Sequence, residues 1–127
     1  MIAGIGIDMA SARRMEKWRL LPGLAQRYFA PQELEAVFAK GKGAGLSLAA
    51  RFAAKEAFGK ALGTGLAGIA LKDIIVVSHT GGRPAIQVSG TALAALEKSG
   101  ANRIHLSMTH EGDSAVAVVV LESLPDR

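Results

Sequence analysis

The sequence predicts one small α+β domain in which a mainly antiparallel sheet packs on a long helix. Three observations lead there. Apolar residues alternate over 2–9 and again over 103–109, each time the period-two pattern of a half-buried strand. Residues 47–62 carry Ala54, Ala57, Phe58, Ala61 and Leu62 at i, i+3, i+4, i+7 and i+8, which is one face of a helix. The 127 residues, half of them hydrophobic, contain no repeat, low-complexity tract or internal linker, so a single core accounts for the chain.

The first strand puts Ala3, Ile5 and Ile7 on one face and Gly4, Gly6 and Asp8 on the other. It therefore reads as half-buried, with a second face of bare backbone ending in a carboxylate. Residues 11–20 form a helix anchored by Met15 and Trp18, with Arg13, Arg14 and Lys17 around them, and Pro22-Gly23 stops it. Pro31 suits the first turn of a second helix, with Glu33 and Glu35 near its positive end; Leu34, Val37 and Phe38 make its apolar stripe, and Lys40-Gly41 close it. Residues 41–45 are a flexible loop, after which Ser47 caps the long helix and Gly63 and Gly65 lie beyond its end. Residues 73–78 and 85–88 are strands of a hairpin whose turn, 79–84, contains Gly81-Gly82. Residues 89–99 form an Ala- and Leu-rich helix ended by Gly100. Ile104, Leu106 and Met108 point inward from the next strand, and Glu111-Gly112-Asp113 turns it into a last strand at 115–122.

Composition excludes several functions. Without cysteine there is no disulfide scaffold, thiol nucleophile or zinc–thiolate site, which agrees with a cytoplasmic protein. No apolar run reaches the length of a membrane span, and the N-terminus lacks the basic region of a signal peptide. Residues 1–60 hold ten Lys or Arg against five acids, a balance of +5, whereas the remainder is at −1. The basic half expects an anionic partner: nucleic acid, nucleotide phosphate or an acidic protein surface.

Two phosphate-binding motifs fail. The Gly4, Gly6 pair has Met9 where a dinucleotide fingerprint needs its third glycine, and Gly41-Lys42-Gly43 lacks the ending of a phosphate loop. The Gly4, Gly6, Asp8 face remains, either as room for a ligand or another chain's backbone, or as a tight packing site with a turn-forming Asp. On the long helix Glu56 and Lys60 fall one turn apart, roughly opposite the apolar stripe. They are either an exposed Glu-to-Lys helix pair or, with Asp8, part of a site. In that second reading Asp8 and Glu56 are hard oxygen ligands for one Mg²⁺ and Lys60 is a cation for the same diphosphate. His110, at a strand end, reads as a structural hydrogen-bonder or a site residue; His79 and His105 have no metal partner at recognisable spacing.

Five blocks in order resemble the holo-acyl-carrier-protein synthases, the short-chain class of phosphopantetheinyl transferases: GIGIDMASARRM, RYFAPQELE, RFAAKEAFGKALGTG, DIIVVSHTGGRPAI and IHLSMTHEGDSAVAVVVLE. The match covers essentially the whole chain. It implies the 4'-phosphopantetheinyl transferase fold and transfer of phosphopantetheine from coenzyme A to a serine of a carrier protein, releasing adenosine 3',5'-bisphosphate. Asp8 and Glu56 match the acids that hold Mg²⁺, and Lys60 the lysine that contacts the phosphates. Arg51, Thr109 and His110 match positions at the nucleotide end, and Gly82, Arg83 and Pro84 the loop beside the adenine. Arg13, Arg14 and Lys17 match the helix that grips an acidic helix of the acyl carrier protein. The family is trimeric with sites between subunits, which implies the same here, with no nucleic acid and no membrane as partner. Ser11 stands where many relatives have an acid, and Arg83 where lysine is commoner. A non-catalytic basic module binding carrier protein or RNA is the competing reading, motivated by a pI of about 9.8 and opposed, for RNA, by the small number of aromatic residues.

Overall fold

The computed structural model describes residues 1–125 apart from Pro22 and Thr80. Its strands are β1 (Ile2–Ser11), β2 (Ile74–Ser78), β3 (Pro84–Val88), β4 (Arg103–Glu111) and β5 (Ser114–Glu122). Its helices are α1 (Ala12–Leu20), α2 (Leu24–Tyr28), α3 (Pro31–Phe38), α4 (Ala44–Leu62) and α5 (Gly90–Ser99). One antiparallel sheet has the order β1-β5-β4, and β2 and β3 form a separate hairpin.

Everything is arranged around α4. It touches all three strands of the larger sheet, the hairpin strand β2, and α1, α3 and α5. Such a helix must be apolar nearly all round. Ala44, Leu48, Ala49, Ala53, Ala54, Ala57 and Phe58 are accordingly almost without solvent exposure. The stripe expected over 54–62 is real but is only one side of what is buried. Opposite it, β5 contributes Ala115, Ala117, Val119 and Leu121. Small residues dominate this layer because sheet and helix backbones come unusually close.

The closest approach is at β1. A Cβ placed on Gly4 would lie 1.9 Å from the Ala61 carbonyl oxygen, and one on Gly6 would lie 1.9 Å from that of Ala57. Of the readings open for this face, tight packing is therefore the one observed, and the occupant is α4 of the same chain. The consequence reverses the expected sidedness of the strand. The glycine face is the packed one, and Ile2, Ile5, Ile7 and Met9 are 58–62% exposed on the other.

Other differences are local. The long helix begins at Ala44, so Ser47 lies inside it and its Oγ accepts from Arg51 Nη1 at 3.1 Å instead of capping. Gly41–Gly43 is a 3-10 turn, not a flexible loop. Asp73 precedes its strand in another such turn and accepts from the Thr91 amide and hydroxyl at the start of α5. Phe38 is 47% exposed and leaves the apolar stripe of α3. Helix α2 was not expected, because five residues carry too little periodicity to read. The stop expected at Pro22 lies outside the described residues; the Gly23 beside it has φ +79°, a conformation glycine adopts without strain.

Candidate active site

Asp8 follows Gly4 and Gly6 on the same face of β1, so its carboxylate points toward α4. Ala57 and Ala61, the residues whose carbonyls meet the glycines, directly follow Glu56 and Lys60 in the chain. The close packing thus delivers Asp8 to that pair. Lys60 Nζ donates to Asp8 Oδ1 and to the Ile7 carbonyl oxygen, both at 3.1 Å. Partial burial raises the Glu56 pKa, and the negative charge of Asp8 raises it further, against the opposing pull of Lys60 and Arg14. Two carboxylates and an ammonium share one place. No third acid or histidine joins them as a metal-holding group among the described residues.

A second group lies on a cleft of about 790 Å³ between α4 and the hairpin. Arg51, Gly82, Pro84, Thr109 and His110 all line it, as expected of one ligand site. Arg83 does not: it is exposed beside the cleft. Lys40 and Gln32 line it as well, although no motif or periodicity points to them. Arg51 is the buried charge on its wall. Its side chain is nearly buried, its Nε has no protein partner, and desolvation lowers its pKa against the raising influence of Glu33. A buried donor without a partner is costly, and it suits an anion arriving from outside. Asp8, Glu56 and Lys60 are not on the lining of this cleft.

The third group is α1. Arg13, Arg14 and Lys17 are all exposed on it, a basic surface on a helix held from below by the buried Met15. Its N-terminus is fixed by the β4–β5 turn. Asp113 accepts from the Ser11 hydroxyl and, at 2.8 Å, from the Arg13 amide, and these bonds lower its pKa. Ser11 in turn accepts from the Arg14 amide as the N-cap. The Arg14 guanidinium lies 5.9 Å from the Phe52 ring centroid, and its charge is felt at Glu56. The basic helix therefore borders the acidic pair.

Sequence reading missed the ion pair of Glu33 and Lys55, both without exposed side-chain surface, at 2.7 Å. Glu33 looked like a first-turn acid of α3. The available signal was Lys55 itself, which sits one turn before Phe58 and Gly59 on a helix buried almost all round.

Residues 4–119 match the model of the 4'-phosphopantetheinyl transferase superfamily. The chain is 57% identical over 122 residues to the holo-[acyl-carrier-protein] synthase of Treponema denticola, covering 96% of this chain and 99% of that one. The crystal structure of the holo-[acyl-carrier-protein] synthase from Neisseria meningitidis superposes with a TM-score of 0.86 at 36% identity, covering 97% of this chain and all of that one. The Bacillus anthracis synthase in complex with coenzyme A gives a TM-score of 0.80 at 36% identity, with 98% and 99% covered.

Proposed function

Because the chain belongs to the 4'-phosphopantetheinyl transferase superfamily, and within it to the holo-[acyl-carrier-protein] synthases, we propose that it moves phosphopantetheine from coenzyme A to a serine of an apo-acyl carrier protein, with Mg²⁺. Adenosine 3',5'-bisphosphate is the other product. The observation that carries this reading is the junction of Asp8, Glu56 and Lys60 across the β1–α4 contact.

Two neighbouring carboxylates fit Mg²⁺, which takes one or two and leaves its other positions to phosphate oxygens and water. Asp8 and Glu56 would hold the ion, and once bound it supplies positive charge against the coenzyme A diphosphate. In the transfer the serine hydroxyl gives up its proton, for which Glu56 is the candidate acceptor on this chain, its oxygen bonds to the β-phosphorus, and the bond from that phosphorus to the bridging oxygen breaks. The bridging oxygen keeps the electron pair and leaves with the bisphosphate. Lys60, about half exposed beside the acids, neutralises charge gathering on the phosphate oxygens. Arg51 and His110, with Thr109 between cleft and strand end, hold the nucleotide's 3'-phosphate, and the Gly82–Pro84 turn borders the adenine. Arg13, Arg14 and Lys17 meet the acidic helix of the carrier and bring its serine toward the acid pair, the complementary charges favouring encounter.

The acid cluster and the cleft are separate linings in one chain, and a homotrimer with sites between subunits would join them. The support is the uncovered face of the sheet. Ile5, Ile7 and Met9 of β1 stand opposite Val120, Val118 and Val116 of β5 in register, a continuous apolar stripe of the kind that marks an interface. No helix among the described residues is long and apolar enough to cross a membrane, and the reading places the enzyme in the cytoplasm, in fatty-acid or polyketide synthesis. The RNA-binding alternative loses ground: Trp18 packs against both Tyr28 and Phe52, Phe29 and Phe58 are buried, and among the described residues only Phe38 is an exposed aromatic. Incubation with apo-carrier protein, coenzyme A and Mg²⁺ should add one phosphopantetheine mass to the carrier. No mass gain across fatty-acid and polyketide carriers would refute the assignment.

A further inference from the structure

The buried pair Glu33–Lys55 lies outside the machinery described so far, and its connections are unusually complete. Lys55 Nζ donates three hydrogen bonds: to Glu33 Oε1 at 2.7 Å, to the Leu71 carbonyl oxygen at 2.9 Å and to that of Ile74 at 2.5 Å. Glu33 Oε1 also accepts from the Ala30 amide at 2.9 Å, and its Oε2 accepts from the Val76 amide at 3.1 Å. Four segments meet at these two side chains: the start of α3, the middle of α4, the turn before β2, and β2 itself. Ile74 O and Val76 N belong to residues of the same parity, so both face away from β3. The outer edge of the hairpin is closed by an ion pair where a larger sheet would have another strand.

A buried ion pair is a poor device for stability alone, since desolvating two charges offsets much of their attraction. Position explains it better. Val76, Val77 and Ser78 form one wall of the cleft and Arg51, one turn before Lys55 on α4, stands on the other. The pair is the side-chain bridge between those walls. Glu33 is also the carboxylate that supports the charge of the nearly buried Arg51.

We propose that Glu33 and Lys55 are positioning residues for the nucleotide cleft: they fix the spacing of the β2–β3 hairpin from α4, and with it the place of Arg51 across from Val76, Val77 and Ser78, for the anionic end of coenzyme A. This rests on the reading of the cleft as the coenzyme A site. The pair touches no substrate and acts through Val76 and Arg51, so it governs binding of the nucleotide and leaves carrier docking on α1 alone.

The test combines calorimetric binding of coenzyme A, steady-state kinetics and hydrogen exchange of β2, using the full chain. Glu33→Gln keeps the side-chain volume but removes the charge. It should raise the coenzyme A Kd and KM about tenfold or more, as displacement of a positioned group does, and leave the carrier-protein KM within about twofold. Lys55→Met should act in the same direction. A lowered Tm with unchanged coenzyme A affinity, or equal increases in both KM values, would show a purely structural pair and overturn the proposal. Wild-type protein supplies a measurement free of folding defects: coenzyme A should slow exchange of the amides at 74–78, and binding without that protection also overturns it. Failure of the wild type to bind coenzyme A at all would instead remove the assignment of the cleft on which the proposal stands.

Discussion

Gly6→Ala is the most direct probe of how this fold makes its site. The added Cβ would sit 1.9 Å from the Ala57 carbonyl oxygen, 2.7 Å from the Ala61 amide nitrogen and 2.9 Å from the Ala57 carbonyl carbon. Ordinary contact begins near 3.4 Å, so β1 and α4 must part by about 1.5 Å. The obstacle is helix backbone and cannot rotate away. Overpacking of a core costs typically 1–3 kcal/mol, and a clash with fixed backbone belongs at the top of that range, ~3 kcal/mol. For a domain of this size that is a fall in Tm of roughly 10 °C. The same displacement separates Asp8 from Glu56 and Lys60, whose contact with Asp8 is now 3.1 Å. Magnesium tolerates little error in its ligand distances, and an ångström of misplacement costs on the order of 100-fold in rate.

Differential scanning fluorimetry and the mass-shift transfer assay read the two effects. Gly45→Ala is the internal control, on the same helix. Its nearest obstacles, at 2.8 and 3.0 Å, belong to the flexible Glu16 side chain; the one backbone atom, Ala12 O, is at 3.2 Å and need give only a few tenths of an ångström. Ala gains up to ~1 kcal/mol over Gly in a helix. That variant should stay within a few degrees of wild type. Gly6→Ala with wild-type Tm and transfer rate would refute both the close approach and its role in placing Asp8.

Three further outcomes are expected. Glu56→Gln should abolish Mg²⁺-dependent transfer and remove any Mg²⁺-induced rise in Tm while raising the Tm of the metal-free protein slightly. The folded-state pKa of Glu56 lies above its unfolded value, so its contribution is greatest at low pH and is lost as pH rises through the folded pKa, leaving an unfavourable charge at neutral pH that Gln removes; a lower Tm would contradict this. Ile7→Asp, on the exposed apolar stripe opposite Val118, should convert a trimer to monomers in light scattering and sharply reduce transfer, and a monomeric wild type would reject the shared site. Arg14→Glu should raise the carrier-protein KM at least tenfold, a size typical of a close interfacial charge pair, with little change in that for coenzyme A; equal changes in both would take Arg14 out of the carrier surface.

The order of elements was legible because the longer ones keep their period: β1, β4, β5 and the C-terminal half of α4 fall where alternation and the helical repeat put them. What the sequence could not express was which face of β1 is inside. Periodicity assigns the apolar side inward, yet Gly4 and Gly6 let α4 approach so closely that the bare side becomes the core and Ile5 and Ile7 are left for another surface. Glu33 and Lys55 were invisible for a related reason: a charged residue reads as solvated until its partner, here 22 residues away, is found. Arg83 shares a turn with Gly82 and Pro84, which line the cleft, and is itself exposed beside it.

The exception at β1 bears on mechanism. Glycine at 4 and 6 removes side chains from the strand so that Asp8, next on that face, can reach a helix that also bears Glu56 and Lys60. The same choice leaves the strand's isoleucines unburied, and in so small a chain an uncovered apolar stripe is an incentive to associate. Assembly of the acid cluster within the chain and the apolar stripe on which the proposed trimer rests therefore follow from the same two residues. A larger residue at position 6 would weaken the proposed metal site directly. It would also tilt the sheet that carries the Ile5–Ile7–Met9 stripe, so Gly6→Ala should impair association as well as transfer. Loss of transfer with an intact trimer would show that the two faces of β1 act independently.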